Sequence, residues 1–272
     1  MRAVLPPRSR VVAGTLNLAR GGSLLQTEMR RIVESIYGPS VRHLPGLDVG
    51  RAYWAATKDF RYGGDMVDVF QYGNGATSLA VVDISGHGIR AARYAGLAKY
   101  ALRAYASRGL DAVESVRALN RLCIENSEFE AEYEFFATVF FGIVDADRTT
   151  MQYVSAGHEA AYVVASDGPQ MLNATGPIVG LMDDDAAFNQ EIVPLDGGDI
   201  FAAVTDGFTE ARDEALTFLG ATALLDVIER HRTSEAEQQA EAITRYAYEY
   251  AGERLQDDVA ALVVKIDAEI TA

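Results

Sequence analysis

Aspartates in this 272-residue chain recur beside glycine, or beside a second aspartate, at the ends of apolar runs. They are Asp65 in Gly63-Gly64-Asp65, Asp83 in Asp83-Ile84-Ser85-Gly86-His87-Gly88, Asp206 in Thr205-Asp206-Gly207, and the pair Asp257-Asp258. A carboxylate at a strand tip is held by rigid scaffold yet open to solvent, and adjoining glycines let backbone carbonyls approach a ligand closely. Carboxylates and carbonyls are hard oxygen donors that suit Mg2+ or Mn2+, whereas zinc or copper would call for imidazole or thiolate. Each motif alone has the composition of an ordinary Asp-Gly turn. The weight lies in their order and in their shared placement at strand ends.

Hairpin geometry ties two of them together. If Gly73-Asn74-Gly75 is a three-residue loop with Gly75 in the left-handed region, Tyr72 pairs with Ala76 and, counting back along the strands, Asp65 faces Asp83. A two-residue Asn74-Gly75 turn would instead stagger the aspartates across opposite faces. Either way both lie at the open end of the hairpin. Two carboxylates opposed on one face repel unless a cation or a proton sits between them, so the pairing asks for metal.

The elements that must carry these residues follow from periodicity. Residues 47–57, 66–72 and 77–84 read as strands, and 88–107 and 111–126 as helices. Further strands are expected at 135–145, 150–154, 161–165, 189–194, 200–204 and 259–266. Ser234 and Glu237 have capping-box spacing ahead of a helix that Gly252 ends. Residues 24–37 show helical spacing at Leu25, Met29, Ile32 and Ile36, closed by Gly38-Pro39. Short strands joined by hairpins, with helices inserted in pairs, predict an α+β sandwich and not a doubly wound parallel sheet.

Composition narrows the function classes. Hydrophobic residues make up 49% and charged residues 23%, enough for a sizeable core. Lys+Arg is 24 against Asp+Glu 39, a formal net charge of −15 that repels phosphate backbones and anionic lipid, so neither nucleic acid nor a membrane is an expected partner. No apolar run approaches the roughly 18 residues of a membrane span, and residues 1–14 lack the apolar stretch of a signal peptide. The single cysteine, Cys123, permits no internal disulfide, and it reads as core beside Leu119 and Leu122. The chain is expected to be cytoplasmic. Residues 1–23 hold four arginines and no acid, so residues 1–45 are expected to form an arm with a short docking or dimerising helix, and residues 46–268 the main domain.

Gly63-Gly64-Asp65-Met66-Val67-Asp68, Asp83-Ile84-Ser85-Gly86-His87-Gly88, Ser155-Ala156-Gly157-His158, Gly176-Pro177-Ile178-Val179-Gly180-Leu181, Gly198-Asp199-Ile200, Thr205-Asp206-Gly207-Phe208-Thr209-Glu210-Ala211 and Asp257-Asp258 together resemble the SpoIIE/RsbU-like branch of the PPM (PP2C-type) protein serine/threonine phosphatases. The resemblance implies a PPM/PP2C-like β-sandwich of two antiparallel sheets flanked by helix pairs. It also implies two Mn2+ or Mg2+ ions that share a bridging aspartate and activate a water for in-line attack on phosphoserine or phosphothreonine. Carried over motif by motif, Asp83 resembles the bridging ligand, the Ile84 carbonyl and Asp65 the ligands of the second metal, and Asp206 and Asp257 those of the first, with Asp258 the alternative to Asp257.

Some positions depart from the family pattern. Met66 and Val67 replace residues that are often aromatic, and Ala260 stands where threonine is common. Ser85 occupies the place of the PP2C histidine, which leaves His87 as the candidate proton partner. Lys58 and Arg61, just before Asp65, are candidates for gripping the phosphate. The implied substrate is a phosphorylated STAS-type anti-sigma-factor antagonist in a partner-switching stress or developmental pathway, with control through an activating partner or a homodimer. The alternative is a non-catalytic phosphatase-like binding module, whose mark would be lost aspartates. Calcium-loop spacing of the D-x-[DN]-x-[DN]-G type is missing.

Overall fold

Strands buried on both faces alternate along the chain with helices that have one apolar face, and two sheets stacked between helix layers are the result. The computed structural model describes residues 43–56, 63–86, 88–129, 135–159, 161–182 and 187–268. The helix expected over 24–37 and the expected arm up to residue 42 lie outside the described residues, whereas His43–Leu44, at the arm's expected end, pair into a sheet.

One sheet has six strands in the order β1-β2-β11-β10-β7-β8, from β1 (His43–Leu44), β2 (Leu47–Trp54), β7 (Ala161–Ala165), β8 (Gly168–Leu172), β10 (Ile200–Val204) and β11 (Val259–Ile266). The other has five in the order β3-β4-β5-β6-β9, from β3 (Met66–Gln71), β4 (Thr77–Ile84), β5 (Ala137–Val144), β6 (Thr150–Ala156) and β9 (Glu191–Pro194). Every ladder is antiparallel. Helices α1 (Gly88–Ser107) and α2 (Ala112–Phe129) cover the five-stranded sheet; α3 (Asp206–Thr209), α4 (Thr222–Arg230) and α5 (Ala236–Tyr250) lie on the six-stranded one. The expected α+β sandwich is the observed architecture.

Three apolar layers hold it together. Leu79, Val81, Phe140, Phe201 and Leu262 fill the space between the sheets. Met66, Val82, Ala95, Leu102 and Leu119 join the five-stranded sheet to α1 and α2, and Cys123 is fully buried among them. Val204, Ala261, Leu224, Ile228 and Ile243 join the six-stranded sheet to α4 and α5. The central strands are covered on both sides, which is why they read in sequence as unbroken apolar runs.

Local departures have physical causes. The strand expected over 47–57 stops at Trp54, because the Ala56 N–H turns away to donate to the Asp258 carboxylate at 2.8 Å. The capping box expected at Ser234 and Glu237 does not form. Glu235 occupies the cap position without a side-chain bond, and the Ala236 N–H donates instead to Asp48 on β2 at 2.8 Å. A reciprocal box does form at α2, where the Glu114 N–H donates to Asp111 and the Asp111 N–H to Glu114. Strand β8 was not anticipated: its Gly168-Pro169 start reads as a turn, but at a sheet edge proline is tolerated. Among the described residues, no helix is long and apolar enough to cross a membrane.

A buried ionic clasp ties the edge strand β3 to the helix behind it. Asp68, 3% exposed, accepts two bonds from Arg103 on α1, at 2.6 and 2.7 Å, and lies 3.3 Å from Lys99, one turn earlier on the same helix. Arg51 on β2 approaches the same carboxylate at 3.9 Å and donates to the Val67 carbonyl. Burial pulls the Lys99 ammonium down, and the Asp68 charge opposes that shift. Removing one member of a buried cluster strands the remaining charges. Asp68→Ala is therefore expected to lower unfolding stability by about 3 kcal/mol in urea denaturation; a loss below about 0.5 kcal/mol, the range of an ordinary surface change, would show that the clasp is not structural.

Candidate metal centre

The site is built outward from the β3–β4 hairpin. Its turn is the three-residue form: the Tyr72 N–H donates to Ala76, the Gly75 N–H donates to Tyr72, and Gly75 has a φ of +88°, a conformation that glycine adopts without a side-chain penalty. Met66 consequently pairs with Val82, and the Ile84 N–H donates to Gly64 at 3.3 Å two pairs beyond the ladder. Asp65 and Asp83 therefore stand opposite each other at the open end, in the first of the two registers the sequence allowed. Gly64 is required here for a second reason, since a β-carbon would collide with the Ile84 carbonyl oxygen.

The other sheet brings its carboxylates to the same end. Strand β10 runs out through Thr205 into Asp206, and Asp257-Asp258 leads into β11 beside it. Burial raises the Asp206 carboxyl to about 7, with the Asp83 and Asp257 charges adding to the shift. Asp65 is pushed well up, first by complete burial and then by Asp83, with Asp258 and Asp257 contributing. Asp83 is raised by burial and by Asp257 and Asp258, while its hydrogen bond with Asp65 works the other way. Each carboxylate thus feels the others. Even so, among the described residues no three His, Cys, Asp or Glu side chains close into a ready-made metal cage. A spread set of hard oxygens is the donor chemistry for a cation that keeps several of its waters.

Hydrogen bonds that the sequence did not reveal hold these groups. The Thr205 hydroxyl donates to Asp65 at 2.6 Å and accepts from the Ala260 N–H at 2.9 Å, so one buried side chain links β10, β11 and the hairpin. The Tyr53 hydroxyl donates to Asp258 at 2.6 Å and accepts from the Gly63 N–H at 2.7 Å. With the Ala56 bond, Asp258 is fully engaged in holding the chain on either side of residues 57–62. Asp257 is exposed, and its Oδ1 accepts from the Asp258 N–H at 2.8 Å.

His158 sits behind this arrangement. Its Nδ1 lies 2.9 Å from the hydroxyl of Thr138, which pairs with Asp83 across β4 and β5. Burial pulls the imidazole down to about 4, with the Val204 carbonyl opposing in part, so the ring is neutral at pH 7. Nε2 has no hydrogen bond of good geometry. The structure thus brings together Asp65, Asp83, Ile84, Asp206, Asp257 and Asp258. His87, Lys58 and Arg61 lie outside the described residues.

Comparison with known proteins identifies the family. The family model for stage II sporulation protein E (SpoIIE) matches residues 73–267. The phosphoserine phosphatase RsbU of Bacillus subtilis is 28% identical over 190 residues, covering 69% of this chain and 55% of RsbU. The chain spans about half the length, or less, of the curated relatives it matches. Among solved structures, the SiaA-PP2C domain of Pseudomonas aeruginosa superposes with a TM-score of 0.69 at 22% identity, covering 90% of this chain and 94% of that one. The catalytic domain of the serine/threonine protein phosphatase PstP, solved with two manganese ions, superposes with a TM-score of 0.62 at 14% identity, over 81% of this chain and 98% of that one. With the family model spanning most of the sandwich and the strand-end aspartates converging as its motifs imply, the chain belongs to the SpoIIE family, the SpoIIE/RsbU-like branch of the PPM (PP2C-type) phosphatases.

Proposed function

We propose that this chain is a Mn2+- or Mg2+-dependent protein serine/threonine phosphatase that removes phosphate from a signalling protein in the cytoplasm. The substrate read from the family resemblance is a phosphorylated STAS-type anti-sigma-factor antagonist in a partner-switching pathway. The observation that carries the reading is the opposition of Asp65 and Asp83 at one strand end, joined there by Asp206 and Asp257. An all-oxygen donor set suits a hard cation.

In this reading Asp83 would be a ligand common to the two ion positions, the Ile84 carbonyl and Asp65 would serve one of them, and Asp206 and Asp257 the other. Bound ions supply Lewis acidity, which lowers the pKa of water and offsets phosphoryl charge. The protein's own part is positional. Thr205 fixes the Asp65 carboxylate, and Gly64 leaves the Ile84 carbonyl open. Lys58 and Arg61 are proposed to hold the phosphate; both neighbours of their segment, Ala56 and Gly63, are bonded to the Asp258–Tyr53 pair at the site. His87 is proposed to protonate the departing serine or threonine oxygen as the P–O bond breaks. Control by an activating partner or by dimerisation through residues 1–45 belongs to the same proposal.

The test is hydrolysis of a serine-phosphorylated STAS-domain protein and of p-nitrophenyl phosphate, with Mn2+ or with EDTA. Manganese-dependent turnover is expected, reduced about 100-fold or more in Asp83→Asn. Absence of both turnover and calorimetric Mn2+ binding would replace the enzyme by a phosphatase-like binding module. Because Asp258 already accepts from Tyr53 and Ala56, Asp257→Asn is expected to weaken Mn2+ binding about tenfold or more and Asp258→Asn by less. The reverse order would exchange their roles.

A further inference from the structure

The hairpin over residues 210–220 hangs from the short helix that begins at Asp206. The Glu210 N–H donates to the Asp206 carbonyl at 2.7 Å, the Gly220 N–H to Thr209 at 2.8 Å and the Leu219 N–H to Ala211 at 2.8 Å. On its far side the Tyr250 hydroxyl donates to the Thr217 carbonyl at 3.2 Å, which ties the hairpin to the end of α5, just before Asp257-Asp258. Its base is therefore joined to the helix that carries Asp206.

Its tip is fixed from within. Asp213 Oδ1 accepts from the N–H groups of Ala215 and Thr217 at 2.9 and 2.8 Å, and the Leu216 N–H donates to the Asp213 carbonyl at 3.0 Å. This ordered turn holds Leu216 at φ +62°, where L-residues are strained and glycine is not. The Leu216 side chain is 68% exposed, so contacts within the fold do not offset that strain. Phe218 beside it is 50% exposed, with the Arg212 guanidinium 4.4 Å over its ring. Exposed acids, Glu210 and Glu214, flank the apolar pair. A strained residue kept in a rigid turn is evidence to be read toward function.

We infer that Leu216 and Phe218 form a docking point for the phosphoprotein substrate, gripping an apolar side chain flanked by basic residues near the phosphoserine. The inference rests on the phosphatase reading for the identity of the occupant. Two observations select that occupant: the base of the hairpin is bonded to the helix that carries Asp206, and the exposed Glu210 and Glu214 complement basic residues while the Arg212 guanidinium is engaged on the Phe218 ring. A small phosphate ester has no apolar side chain flanked by basic residues for the hairpin to grip, so its turnover is expected to be indifferent to the hairpin.

The decisive variants are Leu216→Gly, which relieves the backbone strain while removing the side chain, and Phe218→Ser. A serine-phosphorylated STAS-domain protein is the probe. Its binding is followed by fluorescence anisotropy, with each variant placed in Asp83→Asn to prevent turnover. Binding about tenfold weaker is expected for each variant, with the probe's KM raised similarly in the active chain. The kcat/KM for p-nitrophenyl phosphate and the melting temperature of Leu216→Gly are expected not to fall. Unchanged probe affinity, no probe binding at all, or a change confined to self-association would overturn the docking point. If the unaltered chain neither hydrolyses either substrate nor binds Mn2+, yet loses probe affinity on Leu216→Gly, the phosphatase reading falls and the docking surface stands.

Discussion

Two carboxylates, Asp65 and Asp83, face each other at the end of an antiparallel pair in a region where one is fully buried and the other largely so. Like charges in a low-dielectric setting are unfavourable unless a proton or a cation lies between them. A fold under selection for stability alone would place an amide or an apolar residue there. The hairpin register makes the two positions face each other: with Gly75 closing a three-residue turn, each β3 side chain has a fixed partner on β4. The chemistry assigned to this protein follows from that register.

The surrounding contacts hold that opposition in place. Thr205 reaches Asp65 from the second sheet and simultaneously caps the Ala260 N–H, so the two sheets cannot slide at this end without breaking a buried hydrogen-bond chain. Tyr53 and Asp258 fasten the chain where it leaves β2 and where it returns at Gly63. Farther along β3, Asp68 is clasped by Arg103 and Lys99, which fixes α1 against the strand that follows Asp65. Because α1 begins at Gly88, four residues after Ile84, the placement of the helix also sets the course of the intervening loop.

Much of this arrangement was legible in the sequence, and the reason is locality. The hairpin, the helix Gly88–Ser107 and the final strand Val259–Ile266 are specified by turn residues and periodicities within a few positions. The sandwich followed from their alternation, and the aspartates were visible because each ends a strand. What could not be read joins distant residues. Thr205 and Asp65 are 140 positions apart, Tyr53 and Asp258 are 205 apart, and Arg103 and Asp68 are 35 apart. Tyr53 lies within the strand expected over 47–57 and Thr205 within an Asp-Gly turn motif, and nothing local marks either as a partner of an aspartate. The capping box at Ser234 failed for the same cause, since Asp48, 188 residues away, reached the helix terminus first. Local pattern proposes a partner, and tertiary packing supplies a better one.

The claim that the Asp65–Asp83 opposition is built for a cation is tested most directly by thermal unfolding. The melting temperature is measured for the unaltered chain and for Asp83→Asn, each in EDTA and across a Mn2+ titration. Without metal, Asp83→Asn removes the repulsion and should melt higher than the unaltered chain. With Mn2+, the unaltered chain should rise in proportion to the logarithm of free metal above its Kd, and the variant should lose most of that rise. A metal-free variant that melts lower, together with a Mn2+ titration that leaves the unaltered chain where it was, would contradict the account.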